Sequence, residues 1–444
     1  MFAAKKTDQV SAAGIQYVGG TSGSFTVETA ATPTTISLTS LTGGIASAPS
    51  IGDLIVVTTG LGGVNNYPIY STGKLLLNNY ANSSADNLIN IWAKYALLDE
   101  DLTLVRFLTD GSSSTNRHYC TTVHVYRGAT GYFVPASVLT SASSLTTAIP
   151  NPPSITPTVA GSIIHVAGSA GHQRGQQNFT ASYLSNFISI GGPDLQHDTT
   201  TGAGYITWTS GAYDPAAWTF SGVDATNYAN NSASLAIAPK TAVTTPTWVG
   251  GTRAVTADGV GSTTIVINKP SGVVQNDLMV AIVTADDTGS NKTFTGPTGW
   301  TEAGDFGGLA VYYKTAGASE TSTYTFTCSS GQVLSGIIMA FRNAAWDLIG
   351  ASATGPTPTL PSITLSSNNS TVIAFVKAGD KVDLASNITD DSYTYVYKET
   401  ASVQAFTMVI AIKEGVASGS TGTVTSVTTK NSSARGFLIG IKPA

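Results

Sequence analysis

An internal duplication spans this chain from residue 17 to residue 443 and limits what it can fold into. Tyr17-Val18-Gly19-Gly20-Thr21 returns as Trp248-Val249-Gly250-Gly251-Thr252, and Gly52-Asp53-Leu54-Ile55-Val56 as Asn276-Asp277-Leu278-Met279-Val280. Val125-Tyr126-Arg127-Gly128-Ala129 matches Ala340-Phe341-Arg342-Asn343-Ala344, and Pro153-Ser154-Ile155-Thr156 matches Pro361-Ser362-Ile363-Thr364. The offset between partners shrinks steadily, from 248 against 17 to 342 against 127 and 443 against 239. Chance matches would scatter. A repeat decides architecture before local propensity does, so the expected plan is two copies of one domain, residues 17–240 and 248–444. Residues 1–16 form an N-terminal arm and 241–247 a Thr/Pro/Val linker, extended enough to hold the copies in a fairly fixed relation.

Composition sets the fold class. Of 444 residues 42 % are hydrophobic, enough for real cores, but only 11 % are charged, against about 25 % in ordinary soluble proteins. The polar surface must come from Ser, Thr, Asn and Gly, which favour turns and short strands over long helices. Apolar residues run in short stretches such as Ala281–Thr284, Val372–Val376 and Gly436–Ile441, parted by turn clusters such as Asp110-Gly111 and Asp258-Gly259. The expectation is an all-β chain of two duplicated, jelly-roll-like or related sandwiches, with about eight or more strands each. One segment competes. Leu88, Ile91, Trp92 and Tyr95 have helical spacing, but their counterpart Leu309–Lys314 is a β-rich run, so the repeat predicts a strand.

Several classes of function are disfavoured. A net charge of −5 with 21 dispersed Lys and Arg gives no basic patch for nucleic acid. No apolar run is long enough to cross a membrane as a helix. Met1–Gln9 has two lysines without an apolar stretch behind them, so no secretory leader is expected there. Cys120 and Cys328 sit at non-equivalent positions and read as reduced, buried hydrophobes.

The order of Asn276–Val280, Pro297-Thr298-Gly299-Trp300-Thr301, Val311-Tyr312-Tyr313-Lys314 with Glu320, and Tyr324-Thr325-Phe326-Thr327 resembles β-sandwich modules of virion-surface proteins of tailed bacteriophages. The resemblance covers the second copy well and the first in part, since the first lacks the Pro-x-Gly-Trp turn. It implies a virion location and a non-catalytic structural role in capsid decoration or a head or tail fibre. Capsid or tail subunits and further copies of the chain would be its partners. A host-receptor fibre that binds surface glycan is the alternative, and a polysaccharide-degrading enzyme the second alternative.

The residues themselves offer few chemical leads, and no cofactor or metal is expected. All five histidines, His118, His124, His165, His172 and His197, fall in the first copy. His124 and Tyr126 share a strand face, but no tight metal-ligand spacing is present. Nucleophile elbows, phosphate loops and zincin motifs are missing. Carboxylates that escape motif searches include Asp286, Asp287 and Asp305, and Asp380 with Asp383. Asp53 and Asp277 recur before a core strand and read as turn caps. Lys94 with Glu100 and Lys314 with Glu320 read as one ion pair per copy. Within the aromatic stretch 205–228, Tyr205, Trp208 and Tyr213 are the candidate glycan contacts, with Trp218 and Phe220 assigned to core.

Overall fold

The computed structural model describes residues 14–26, 34–62, 70–71, 73–81, 87–108, 118–130, 139–145, 149–172, 178–192, 198–221, 229–240, 246–256, 261–285, 292–378, 387–388, 390, 392–398, 407–427 and 434–444. The first thirteen residues of the expected arm and residues 241–245 of the linker lie outside that set.

The chain is all-β, and four antiparallel sheets dominate it, each with a row of five strands, to which Ala129–Thr130 adds a short sixth in sheet II and Ala353–Gly355 one in sheet IV. Sheet I holds β1 (Gln16–Thr26), β2 (Leu54–Gly62), β3 (Lys74–Ala81), β4 (Asn87–Tyr95) and β5 (His118–Arg127). Sheet II holds β6 (Leu139–Ser144), β7 (Ile163–His172), β8 (Ser185–Gly191), β9 (Asp198–Thr207) and β10 (Asn230–Pro239). Sheet III holds β11 (Thr247–Val255), β12 (Leu278–Ala285), β13 (Thr301–Asp305), β14 (Leu309–Thr315) and β15 (Leu334–Arg342). Sheet IV holds β16 (Ala344–Ile349), β17 (Ser370–Ala378), β18 (Thr394–Lys398), β19 (Thr407–Val416) and β20 (Ala434–Pro443). In all four the spatial order is first, fifth, second, fourth, third strand. Each half of the duplication therefore carries two modules on one plan.

The shared plan has a local cause. A left-handed residue precedes every second strand: Gly52 (φ 88°), Gly161 (φ 80°), Asn276 (φ 73°) and Asn369 (φ 57°). Gly and Asn are the residues that tolerate this conformation best. In the first and third modules the next residue is Asp53 or Asp277. In the second and fourth it is Ser162 or Ser370, whose hydroxyl donates to the carbonyl three residues back at 2.7 Å.

Each large sheet buries one face under a small sheet of its own module. Ile36 and Val105 pack on Ile55 and Val57, and Phe179 on Ile164 and Val166. Ile265 and Phe326 cover Met279 and Ala281, and Leu360 and Val424 cover Val372 and Ala374. At about 1.5–3 kcal/mol per fully buried large apolar side chain, these four cores supply the main folding force. The competing segment is a strand: β4 is buried at all nine positions, so apolar residues on both faces mimic helical spacing. A single 3₁₀ turn, Asp99–Leu102, follows it.

The second face of each large sheet meets its neighbour in the same half. On sheet I, β1 lies over β8, β5 over β9, β2 over β7, β4 over β10 and β3 over β6. This exchange of strand positions is that of a local two-fold axis through the β2–β7 crossing. The halves are joined in turn. Trp248 Nε1 donates to the Leu97 carbonyl at 2.7 Å, and Ser271 donates through N–H and Oγ to Asp99 at 2.8 and 2.9 Å.

Candidate functional site

The unions within the two halves differ sharply in chemistry. Between sheets III and IV the centre of the packing is apolar: Phe375 and Phe437 stack at 5.1 Å, Phe306 adds to Phe437 at 5.0 Å, and Met339, Phe341 and Ile373 are buried beside them, while at one end Lys377 donates to the Ala285 carbonyl and Arg435 to the Gly307 carbonyl. Between sheets I and II the positions equivalent to Met339, Phe341 and Ile373 are His124, Tyr126 and His165. Strand pairing fixes this equivalence: Val56 faces His124 as Val280 faces Met339, and Leu54 faces Tyr126 as Leu278 faces Phe341. Toward one end of this seam the two sheets approach on small and polar residues, Gly60, Asn87, Ser169, Thr199, Thr201 and Asn231, all of them buried. A Cβ on Gly60 would collide with the hydroxyls of Ser169 and Thr201.

At the centre of the seam is a sealed aromatic–imidazole cluster. His165 Nδ1 lies 2.9 Å from the Tyr126 hydroxyl and its Nε2 3.4 Å from Thr58 Oγ1. His124 Nε2 lies 3.2 Å from the Asn186 carbonyl. A carbonyl only accepts, so Nε2 carries the proton and the buried Nδ1 is left as an acceptor without a partner. The two imidazoles meet edge to face at 5.2 Å, and Tyr17 and Tyr205 complete the ring of aromatics. Burial pushes His124 down to about 4, against the pull of main-chain carbonyls at Asn186 and Ala203. Burial, then His124, holds His165 well below the ordinary imidazole range. Burial, then the neighbouring tyrosines, raises Tyr126. His124, His165 and Tyr126 are thus held neutral near pH 7, fully buried between the two sheets.

The expected glycan contacts are placed as follows. Tyr205 turns into the seam, 5.3 Å from the Tyr17 ring, and its hydroxyl accepts from Asn186 Nδ2 at 3.2 Å. Trp208 and Tyr213 are half-buried at the rim of the second module's own core, Trp208 Nε1 donating to the Gly211 carbonyl at 2.9 Å. Trp218 is core and Phe220 packs against it in part. Tyr228, His197, Asp286, Asp287, Asp380 and Asp383 lie outside the described residues. Asp305 holds the main-chain N–H groups of Phe294 and Gly307, the role of a turn carboxylate. Among the described residues no group of three or more His, Cys, Asp or Glu is placed to hold a metal ion.

The repeated charges form two clamps. Asp53 caps its own turn, accepting from Ser50 N at 2.7 Å, and Arg127 grips its carboxylate through Nε and Nη2 at 2.9 Å each. Asp277 does the same with Val274 N at 2.9 Å and with Arg342 at 3.0 and 2.9 Å. Both arginines stood in the repeat as partners of each other, and that was the available signal for the pairing.

One expected ion pair is corrected. Lys314 meets Glu320 at 2.7 Å, but Lys94 pairs with Asp101, not Glu100. The 3₁₀ turn rotates Asp101 inward, where it also accepts from Leu97 N and Leu98 N. Glu100 turns outward to Arg253 of the other half. Glu320 is raised by burial, but hydrogen bonds from Lys314, Tyr324 and Gly317 N outweigh this and hold it below the ordinary value.

Compared with protein-family models, curated proteins and solved structures, the chain matches none.

Proposed function

We propose that this chain is a non-catalytic structural component of a phage virion surface, in capsid decoration or in a head or tail fibre. The observation that carries the reading is where its reactive side chains go. The described histidine rings, the repeated Asp–Arg pairs and the Lys94–Asp101 pair all join strand to turn or sheet to sheet. The outer faces support it too. The small sheet of the third module exposes Thr264, Val266, Asn268, Thr323, Thr325 and Thr327, a surface without charge. Low charge density lets copies pack side by side with little repulsion. The resemblance to phage sandwich modules supplies the setting. The test is composition: gradient-purified particles should contain the chain at a fixed copy number, and particles that lack it overturn the reading.

A second reading, a glycan-binding fibre, is favoured by one observation. Trp208 and Tyr213 leave part of their surface open at the rim of the second module, near Tyr183. Replacing Trp208 and Tyr213 with Ala should then lower adsorption to host cells, and unchanged adsorption would remove the idea.

A further inference from the structure

We propose that the His124–His165 pair makes the union of sheets I and II an acid-opened joint, so that acidification loosens the first half while the union of sheets III and IV, apolar at the equivalent places, holds. His124 stands on β5 of sheet I and His165 on β7 of sheet II, so the pair spans the joint, with both rings fully buried. Both faces of the space they share are accounted for. Tyr17 from β1, Tyr126 from β5 and Tyr205 from β9 are the other titratable groups that meet the rings, with Thr58 from β2 and Asn186 from β8 as neutral partners.

No carboxylate faces either imidazole among these described neighbours, so a proton taken up there has no counter-charge. A second proton arrives about one ring away from the first. Closed, the joint resists protonation; open, water solvates the imidazolium. The other half supplies an internal control, because Met339 and Ile373 hold the two equivalent places and cannot titrate. An open joint binds a proton at the ordinary imidazole value of about 6.5, whereas closed His124 binds one only near 4. Its contribution is therefore complete above pH ~6.5 and is lost as pH falls toward 4. For His124 alone the linkage increases opening on the order of a hundredfold by pH 4, and His165 acts in the same direction.

The test is hydrogen exchange on the full chain from pH 7.5 to 4, read peptide by peptide and corrected for the intrinsic pH dependence of exchange. Peptides covering β5, β7 and β9 should lose protection across that interval while those covering β15, β17 and β20 keep theirs. The double variant His124→Met/His165→Ile, which installs the residues of the second half, should abolish the difference. Simultaneous loss in both halves, or a difference that survives the double variant, overturns the proposal. Should the double variant fail to fold, wild-type NMR decides. The His124 and His165 ring signals must titrate in the interval where β7 opens; titration near 6.5 without opening overturns it equally.

Discussion

Arg253, in the second half, donates through Nε to Glu100 of the first half at 2.7 Å, and its Nη1 reaches the Tyr397 hydroxyl of the fourth module at 3.2 Å. One guanidinium thus ties three modules, with its charge lying 5.3 Å from the centre of the Tyr397 ring. Both partners of the ion pair are largely shielded, at 14 % and 22 % side-chain exposure, which places its worth above that of a fully exposed pair. Arg253→Ala should cost about 1–3 kcal/mol and loosen the halves. Calorimetry and small-angle scattering would read both effects. An unchanged melting temperature with an unchanged radius of gyration would show that the Trp248 and Ser271 contacts suffice.

The Asp–Arg clamps predict a specific failure of conservative substitution. Asp277→Asn removes the charge from a carboxylate that is 2 % exposed and holds three donors. A loss of about 2–3 kcal/mol in denaturant unfolding is expected. Arg342→Lys should recover little, because an ammonium cannot fork to both oxygens. Wild-type stability in the lysine variant would contradict the bidentate account.

Close approach of sheets I and II predicts that Gly60 is intolerant of a methyl group. Gly60→Ala should destabilise by about 1–3 kcal/mol through overpacking against Ser169 and Thr201. Adding Ser169→Gly should return part of the loss. A double-mutant cycle measures the coupling, and strict additivity would mean that the two sheets are not in contact there.

Alkaline titration carries its own prediction. Burial, the first cause in each case, pushes Tyr17, Tyr126, Tyr312, Tyr324 and Tyr393 above the ordinary tyrosine value, and Tyr183 to about 12. A folded value above the unfolded one of about 10 contributes stability that is complete below pH ~10 and is lost as pH rises through the folded values. Absorbance at alkaline pH should therefore show a subset of the 18 tyrosines ionising reversibly and the rest only with unfolding. All of them ionising near pH ~10 with strand structure intact would contradict the buried placement.

Much of this architecture was legible in residue identities. The Tyr17/Trp248, Asp53/Asp277 and Arg127/Arg342 matches exposed the duplication because the clamps, and the register shifts after Tyr17 and Trp248 in β1 and β11, recur in both halves. The finer repeat within each half was not legible. Its shared element is a backbone conformation, filled by Gly52 and Gly161 in one half and by Asn276 and Asn369 in the other. The residue after it changes from Asp to Ser, so identity is lost while geometry stays. His124 and Tyr126 were readable as neighbours two residues apart on one strand face. Their meeting with His165 depends on one sheet lying on another, which no local pattern encodes. The Lys94 partner differs from the expectation for a related reason: the repeat aligns Glu100 with Glu320, but a 3₁₀ turn at Asp99–Leu102, with no counterpart at the aligned residues 316–322, turns Asp101 inward.

The proposed role is tested most directly by cryo-electron microscopy of intact particles. Density is expected for four sandwich modules in two face-to-face pairs on the particle surface, with uncharged outer faces such as that of Thr323–Gln332 packed against neighbouring subunits. Particles without that density would contradict it, and glycan binding and hydrolysis would then be the activities to assay.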